Sequence, residues 1–255
     1  MSCRPASGAN RQTRRRLKRH AAAGNPDDLT SPAHAADWGI EQIMSSFPEK
    51  LADRFRRFHH RHFLPKAEEY EELAAYGQSP EAMVISCSDS RVDPETIFSA
   101  MPGELFVVRN VANLVPPYET GGKFHGVSSA IEFAVLNLRV KHLIVMGHSG
   151  CGGVKAALDQ SAAIQTEAQF ISRWMSMLDE ARLKVLAAHQ TAPHSEKLQA
   201  LEKEGVKTAI RNLRTFPFIT EAEDKGRLAL HGAYFDIAVG TLSVLNHSRN
   251  EFFPL

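Results

Sequence analysis

Ala82-Met83-Val84-Ile85-Ser86-Cys87-Ser88-Asp89-Ser90-Arg91 is an apolar run that ends in a thiol, a carboxylate and a guanidinium on alternate residues. Its first half reads as a buried strand. Its second half is poorly suited to packing a core and well suited to holding and tuning a metal-bound water, provided that further ligands arrive from elsewhere. A second apolar run, His142 to Gly147, ends alike, in His148-Ser149-Gly150-Cys151-Gly152-Gly153. Between the two lie a short helix over 93–99, a third strand over 104–109, a loop over 113–122 and a helix over 127–140. Strand runs without polar alternation are covered on both faces, so the pattern predicts an α/β fold with a mainly parallel central β-sheet flanked by helices.

Downstream, Val154 to Leu158 starts a helix, Phe170 to Ala188 reads as one long amphipathic helix and Leu198 to Leu213 as another, while 215–220 and 227–239 read as extended in part. Upstream, Leu51, Phe55, Phe58, Phe63, Leu64, Tyr70 and Leu73 fall at roughly helical spacing, interrupted at Pro65. They predict two helices, an N-terminal helical arm. His59, His60 and His62 stand among Arg56, Arg57 and Arg61; the preferred reading is a solvated basic helix face, with a metal role as its alternative. Residues 1–43 mix Arg, Ala, Gly, Pro and Ser without hydrophobic periodicity and read as a disordered basic extension. The pattern of a folded domain occupies 44–255, and Met44 marks where it begins.

Composition excludes several classes. With 255 residues and 43% hydrophobic content, the chain can bury a good core. No apolar run approaches the roughly 18 to 20 residues that span a bilayer, so no membrane partner is expected. The net charge is +1, and Arg4, Arg11, Arg14, Arg15, Arg16, Lys18 and Arg19 crowd the start of the chain. Residues 44–255 carry 23 basic against 25 acidic side chains, which argues against nucleic acid as a partner. Three cysteines, one of them Cys3, make no disulfide framework. Free thiols or thiolate ligands suit a reducing compartment, with the cytoplasm as the expected location.

Ligands of open parallel sheets gather at the carboxyl ends of the strands. If the strand ending at Cys87 and the strand ending at Gly147 are neighbours, Cys87 comes close to His148 and Cys151. Two soft thiolates and an imidazole suit Zn2+, and three protein ligands leave one tetrahedral position for water. A structural zinc would need a fourth ligand, and Cys3 is the one cysteine left. Two near-motifs are rejected. Gly147 to Cys151 lacks the last glycine of G-x-S-x-G, and Ser149 has no evident Asp and His partners. Gly147 to Lys155 lacks the Gly-Lys-Ser/Thr ending of a P-loop.

Cys87-Ser88-Asp89-Ser90-Arg91, Gly103-Glu104 with Arg109-Asn110-Val111-Ala112-Asn113, and Gly147-His148-Ser149-Gly150-Cys151-Gly152-Gly153 together resemble the β-class carbonic anhydrases, in the plant-like, open-site subgroup. The resemblance runs from about Ser46 to Leu245 and implies a catalytic domain over 44–255. It implies Cys87, His148 and Cys151 as ligands of one zinc per subunit, and Asp89 with Arg91 as the catalytic dyad beside it. It adds Gln78 as a polar contact to substrate, Phe106, Val111 and Phe133 as pocket lining, and Gly152 as an amide facing the ligand. The implied reaction is reversible hydration of carbon dioxide to bicarbonate and a proton by a metal-bound hydroxide. Hydrolysis of carbon disulfide or carbonyl sulfide on the same scaffold, and a non-catalytic structural or regulatory zinc protein, are the alternatives. Phe133 is commonly Tyr in plant-like members, so a hydroxyl is missing here. Val84 stands where a self-inhibited subgroup has Trp, which implies that Asp89 pairs with Arg91 rather than with the metal. The family also implies a homodimer or higher homo-oligomer whose N-terminal helices embrace the neighbour. His125 is a candidate proton shuttle.

Overall fold

The computed structural model describes residues 47–121, 125–159 and 170–255. The basic extension with Cys3, and Met44, lie outside these residues. The chain divides into two compact units, Met1–Gly77 and Gln78–Leu255.

In the first unit, helix α1 (Glu49–Phe58) runs on through a π turn at His59–Phe63 and a 3-10 turn at Leu64–Lys66, and α2 (Ala67–Tyr76) follows. Pro65 lacks an N–H and falls where the helix changes pitch. Gly77 ends α2 with φ 81°. The histidines of the π turn lie against aromatic rings: His59 stacks on Phe63 at 5.3 Å and His62 on Phe58 at 6.2 Å. The helical arm expected from the sequence is thus present.

The second unit is built on a six-stranded sheet in the order β2-β1-β3-β4-β5-β6. Strands β1 (Ala82–Cys87), β2 (Leu105–Asn110), β3 (His142–His148) and β4 (Ala229–Asp236) are parallel. β5 (Thr241–Asn246) and β6 (Glu251–Pro254) add an antiparallel hairpin at one edge. The helices are α3 (Pro94–Ile97), α4 (Gly126–Glu132, prolonged by a π turn to Leu138), α5 (Gly152–Asp159), α6 (Ile171–Met175), α7 (Asp179–Ala188), α8 (His194–Leu213) and α9 (Pro217–Asp224).

Alternation along the strands sorts the core by face. Met83, Ile85, Leu143, Val145 and Leu230 pack with Ile131, Val206, Ile210, Leu213, Phe216 and Ile219 of α4, α8 and α9. Val84, Met146 and Ala233 face the other way, toward Ile97 and Phe98. A third cluster joins Cys87, Ala112, Leu114 and Cys151 to α5 through α8 near the strand ends. Gly147 is required where α8 presses on β3, since a Cβ there would stand 2.7 Å from Val206 Cγ2.

Three expectations change. Of residues 215–220, expected to be extended in part, 217–220 are the start of helix α9: Pro217 sits at the first helical position, where its fixed φ and missing N–H fit. The helix expected over 170–188 is broken by a 3-10 turn at Ser176–Leu178, whose tighter pitch turns both Met175 and Leu178 inward. Coverage on both faces holds for β1 and β3, whereas β2 is half-buried along its length because it is a sheet edge.

Candidate metal centre

Cys87 and His148 are the last residues of adjacent parallel strands, which places thiol and imidazole side by side at the carboxyl end of the sheet. After His148 the chain turns through Gly150, at φ 67°, and returns Cys151 beneath the start of α5. The potential ligand atoms of Cys87, His148 and Cys151 all lie within 4.8 Å of one another, and all three residues are buried. Among the described residues no second group of this kind occurs, so His59, His60 and His62 do not form one.

The donor set fits zinc. The two sulfurs are 3.9 Å apart, close to the ~3.8 Å that tetrahedral coordination at a Zn–S distance of ~2.3 Å requires. His148 Nδ1 lies 3.0 Å from the Ser149 carbonyl oxygen, a contact that places the ring proton on Nδ1. Nε2 is then a lone-pair donor, and it is buried without a hydrogen-bond partner. A buried acceptor left unsatisfied is costly unless something binds it.

The charges agree. Cys151, sharing a proton with Cys87 across the 3.9 Å sulfur contact, pulls the Cys87 thiol well below its ordinary pKa, against the effect of burial. The same sharing, with burial, pushes Cys151 up, although the Gly153 and Val154 amides oppose this. Burial draws His148 down, but the neighbouring Cys87 sulfur outweighs it and the net shift is upward. A divalent cation held by these three residues would displace their protons to solvent and neutralise the thiolate charge.

Beside the group, Asp89 is clamped by Arg91 in a fork, Nε to Oδ1 at 2.9 Å and Nη2 to Oδ2 at 2.7 Å. The Arg91 backbone N–H adds a third bond at 3.0 Å. The guanidinium therefore holds the Asp89 carboxyl far below the usual carboxylate range. Asp89 Oδ2 is 4.0 Å from His148 Nε2, and Arg91 Nη2 donates to the Gly150 carbonyl at 3.2 Å, so the dyad borders the ligand turn.

The other predicted residues divide. Phe106 and Phe133 meet at 5.9 Å between ring centroids, and Val111 packs beside Gly153 at the start of α5. A Cβ built on Gly152 meets open space. Gln78 is exposed in the segment before β1 and makes no hydrogen bond to the cysteines or the dyad. His125 bonds the Gly121 carbonyl. Val84 is fully buried against Met146 and Ala233. Ser149 Oγ is engaged with Asp236 Oδ1 at 3.3 Å and the Ile237 N–H at 2.9 Å, with no histidine, consistent with rejecting a serine nucleophile.

Residues 82–242 match the family model described as "Carbonic anhydrase". Beta carbonic anhydrase 6, mitochondrial, of Arabidopsis thaliana is 36% identical over 192 residues, 75% of this chain and 65% of that protein. The chain belongs to the β-class carbonic anhydrases. It spans just under two thirds of the length of that Arabidopsis relative. Among solved structures, the β-carbonic anhydrase CcaA is 30% identical with a TM-score of 0.77, covering 81% of this chain and 91% of that one. A tetrameric β-carbonic anhydrase from the filamentous ascomycete Sordaria macrospora is 30% identical with a TM-score of 0.65, covering 81% and 96%.

Sequence reading missed residues of this β-class site that act at one remove. Arg109 donates to the carbonyls of Cys87 (3.0 Å) and Asp89 (2.7 Å) and pairs with Asp93 at 3.3 Å, so it fixes the backbone that carries the dyad. A charge closing an apolar strand was the available signal. Glu202 on α8 is 3% exposed and accepts the Cys151 N–H at 2.9 Å and the Tyr234 hydroxyl at 2.7 Å. Its signal was a carboxylate in step with the core positions Leu198, Leu201, Gly205 and Ala209.

Proposed function

We propose that this chain catalyses the reversible hydration of carbon dioxide to bicarbonate and a proton, with one zinc held by Cys87, His148 and Cys151. The observation that carries the reading is the buried, partnerless His148 Nε2 beside two sulfurs at zinc-like spacing. Zinc bound there supplies acidified water near neutral pH, less strongly than in an all-imidazole site because two thiolates cancel its charge. Asp89 accepts a hydrogen bond from the attacking oxygen and orients its lone pair toward carbon dioxide. Arg91 keeps that carboxylate ionised and aimed, so Asp89 directs the nucleophile without storing the proton, which leaves to solvent. Phe106, Val111 and Phe133 offer an apolar wall suited to an uncharged substrate, and Gly152 leaves room for its oxygens. Val84 in place of Trp, with Asp89 on Arg91, supports the open form.

We also propose a homodimer as the minimal unit. The exposed apolar side chains Val111, Phe133 and Leu136 support it, and Gln78 would then reach a site in the assembly. No described helix is long and apolar enough to cross a membrane. Thiolate ligands favour a reducing compartment such as the cytoplasm; a tagged chain found outside it would overturn that placement.

Zinc stoichiometry and stopped-flow hydration against pH, measured on one sample, test the reaction. Turnover is expected to rise into alkaline pH. Cys87→Ala and His148→Ala lose zinc and activity together. Asp89→Asn keeps zinc and loses roughly 100-fold or more in rate; a fully active Asp89→Asn would remove Asp89 from its assigned role.

A further inference from the structure

Ser149 stands between two of the candidate ligands, and its amide, its carbonyl and its hydroxyl are all engaged. The N–H donates to the Phe235 carbonyl at 3.0 Å, which carries the β3–β4 ladder one bond beyond the His148–Phe235 pair. The hydroxyl accepts the Ile237 N–H at 2.9 Å and donates to Asp236 Oδ1 at 3.3 Å. The carbonyl oxygen accepts the His148 Nδ1–H at 3.0 Å. Gly150 follows at φ 67°, so the Ser149–Gly150 peptide takes an orientation that a side chain at position 150 would resist. Asp236 is anchored in turn. Its Oδ1 also accepts the Ala238 N–H at 2.9 Å, and its carbonyl accepts the Gly240 N–H at 2.9 Å, so the carboxylate is built into the turn between β4 and β5.

We propose that Ser149 and Asp236 are positioning residues that fasten the ligand turn to the end of β4 and so hold the carbonyl that orients the His148 ring. The proposal rests on the metal-centre reading above. Rotation of the imidazole would carry Nε2 away from the two sulfurs. Loss of the Nδ1 partner would let the ring proton settle on Nε2, where it blocks coordination. A partner on the second ring nitrogen fixes both the ring angle and the tautomer, and its removal weakens metal binding about 10–100-fold. Here that partner is the next residue in the chain, so it is only as firm as Ser149 itself. Sequence-local contacts do not fix it: the groups on the hydroxyl lie 87 and 88 positions away. If the hydroxyl served only to satisfy the Ile237 amide, its removal would lower stability and leave zinc affinity alone.

Zinc dissociation constants of the full chain, measured by competition with a chromophoric chelator, separate these roles when read beside urea midpoints of the zinc-free protein. Ser149→Ala and Asp236→Ala are each expected to weaken zinc about 10-fold or more. Asp236→Asn keeps an oxygen for the Ser149 hydroxyl and the Ala238 N–H, and is expected to stay within about 3-fold of the wild type. In zinc-loaded protein labelled with 15N-histidine, the His148 Nδ1–H signal is expected to exchange with solvent faster in Ser149→Ala than in the wild type. Wild-type zinc constants in folded Ser149→Ala and Asp236→Ala, whatever their urea midpoints, overturn the proposal and leave the metal centre standing. If Asp236→Ala does not fold, Ser149→Ala, which removes only the hydroxyl oxygen, decides alone. An Asp236→Asn as weak as Asp236→Ala overturns the positioning role of Asp236, since its charge would then be what acts. A wild-type chain that binds no zinc overturns the metal centre, and the proposal with it.

Discussion

Glu202 shows what one buried side chain does for the candidate centre. Its carboxylate holds the turn Gly150–Cys151 through the Cys151 amide and is itself held by Tyr234, whose ring carries the Lys203 ammonium at 5.1 Å. Burial raises the pKa of this carboxylate, with the Tyr234 bond and the Cys151 amide acting against it. Truncation strands the donors rather than the acceptor, and each buried unpaired donor costs about 1–3 kcal/mol. Glu202→Ala is therefore expected to lower stability by about 2 kcal/mol or more in urea unfolding and to weaken zinc retention roughly 10-fold or more. Glu202→Gln, which keeps one acceptor oxygen, should fall between. A wild-type unfolding midpoint in Glu202→Ala would show that the turn holds itself.

Elements set the spacing in which these side chains work. α8 crosses β3 so closely that Gly147 meets Val206, one residue before the proposed ligand His148. Gly147→Ala overpacks this crossing and should cost about 1–3 kcal/mol, and Val206→Ala in the same chain should restore much of it. Equal urea midpoints for the single and double variants would refute the contact. At the opposite end of the same strands, His142 on β3 and His231 on β4 are 3.1 Å apart, with His247 nearby bonding the Leu230 carbonyl. Burial, then the charges of His142 and His247, depress the His231 pKa. The unfolded chain thus binds a proton that the folded chain refuses. Stability is fully present above the unfolded value of about 6.5 and falls as pH drops through it toward the folded value. Thermal midpoints at about pH 5.5 and 7.5 should therefore differ more for the wild type than for His231→Gln, and an equal difference would clear His231 of the effect.

At the scale of the molecule, apolar surface remains where a globular monomer would place polar residues. Phe133 is 44% and Leu136 50% exposed on the π turn that ends α4, on the same segment as the proposed pocket wall. Light scattering is expected to give at least twice the chain mass of 28.2 kDa, and Leu136→Glu to shift the population toward smaller species. A fully active monomer would refute the oligomer.

Local pattern determined much of this protein from the sequence alone. Uninterrupted runs at 82–87, 105–108 and 142–147 already specify strands of a parallel sheet, covered on both faces at β1 and β3, and the glycine-rich step from His148 to Cys151 already reads as a tight turn, because strand and turn propensities act over a few neighbours. That β1 and β3 are neighbours was a condition the sequence left open, and the register of the two strands meets it. Tertiary structure alone decided the rest. The hairpin β5–β6 pairs at a sheet edge, where short and partly exposed strands leave little periodicity to read. Helix α9 shows the same limit: the aromatic run Phe216-Pro217-Phe218 suits a strand locally, yet Phe216 and Ile219 are buried in the core with α8 and the sheet. Arg109 and Glu202 became visible only when Cys87 and Cys151, 22 and 51 positions away along the chain, were brought within hydrogen-bond reach of them. Such contacts depend on how β2 and α8 close on the strand ends, which no local pattern encodes.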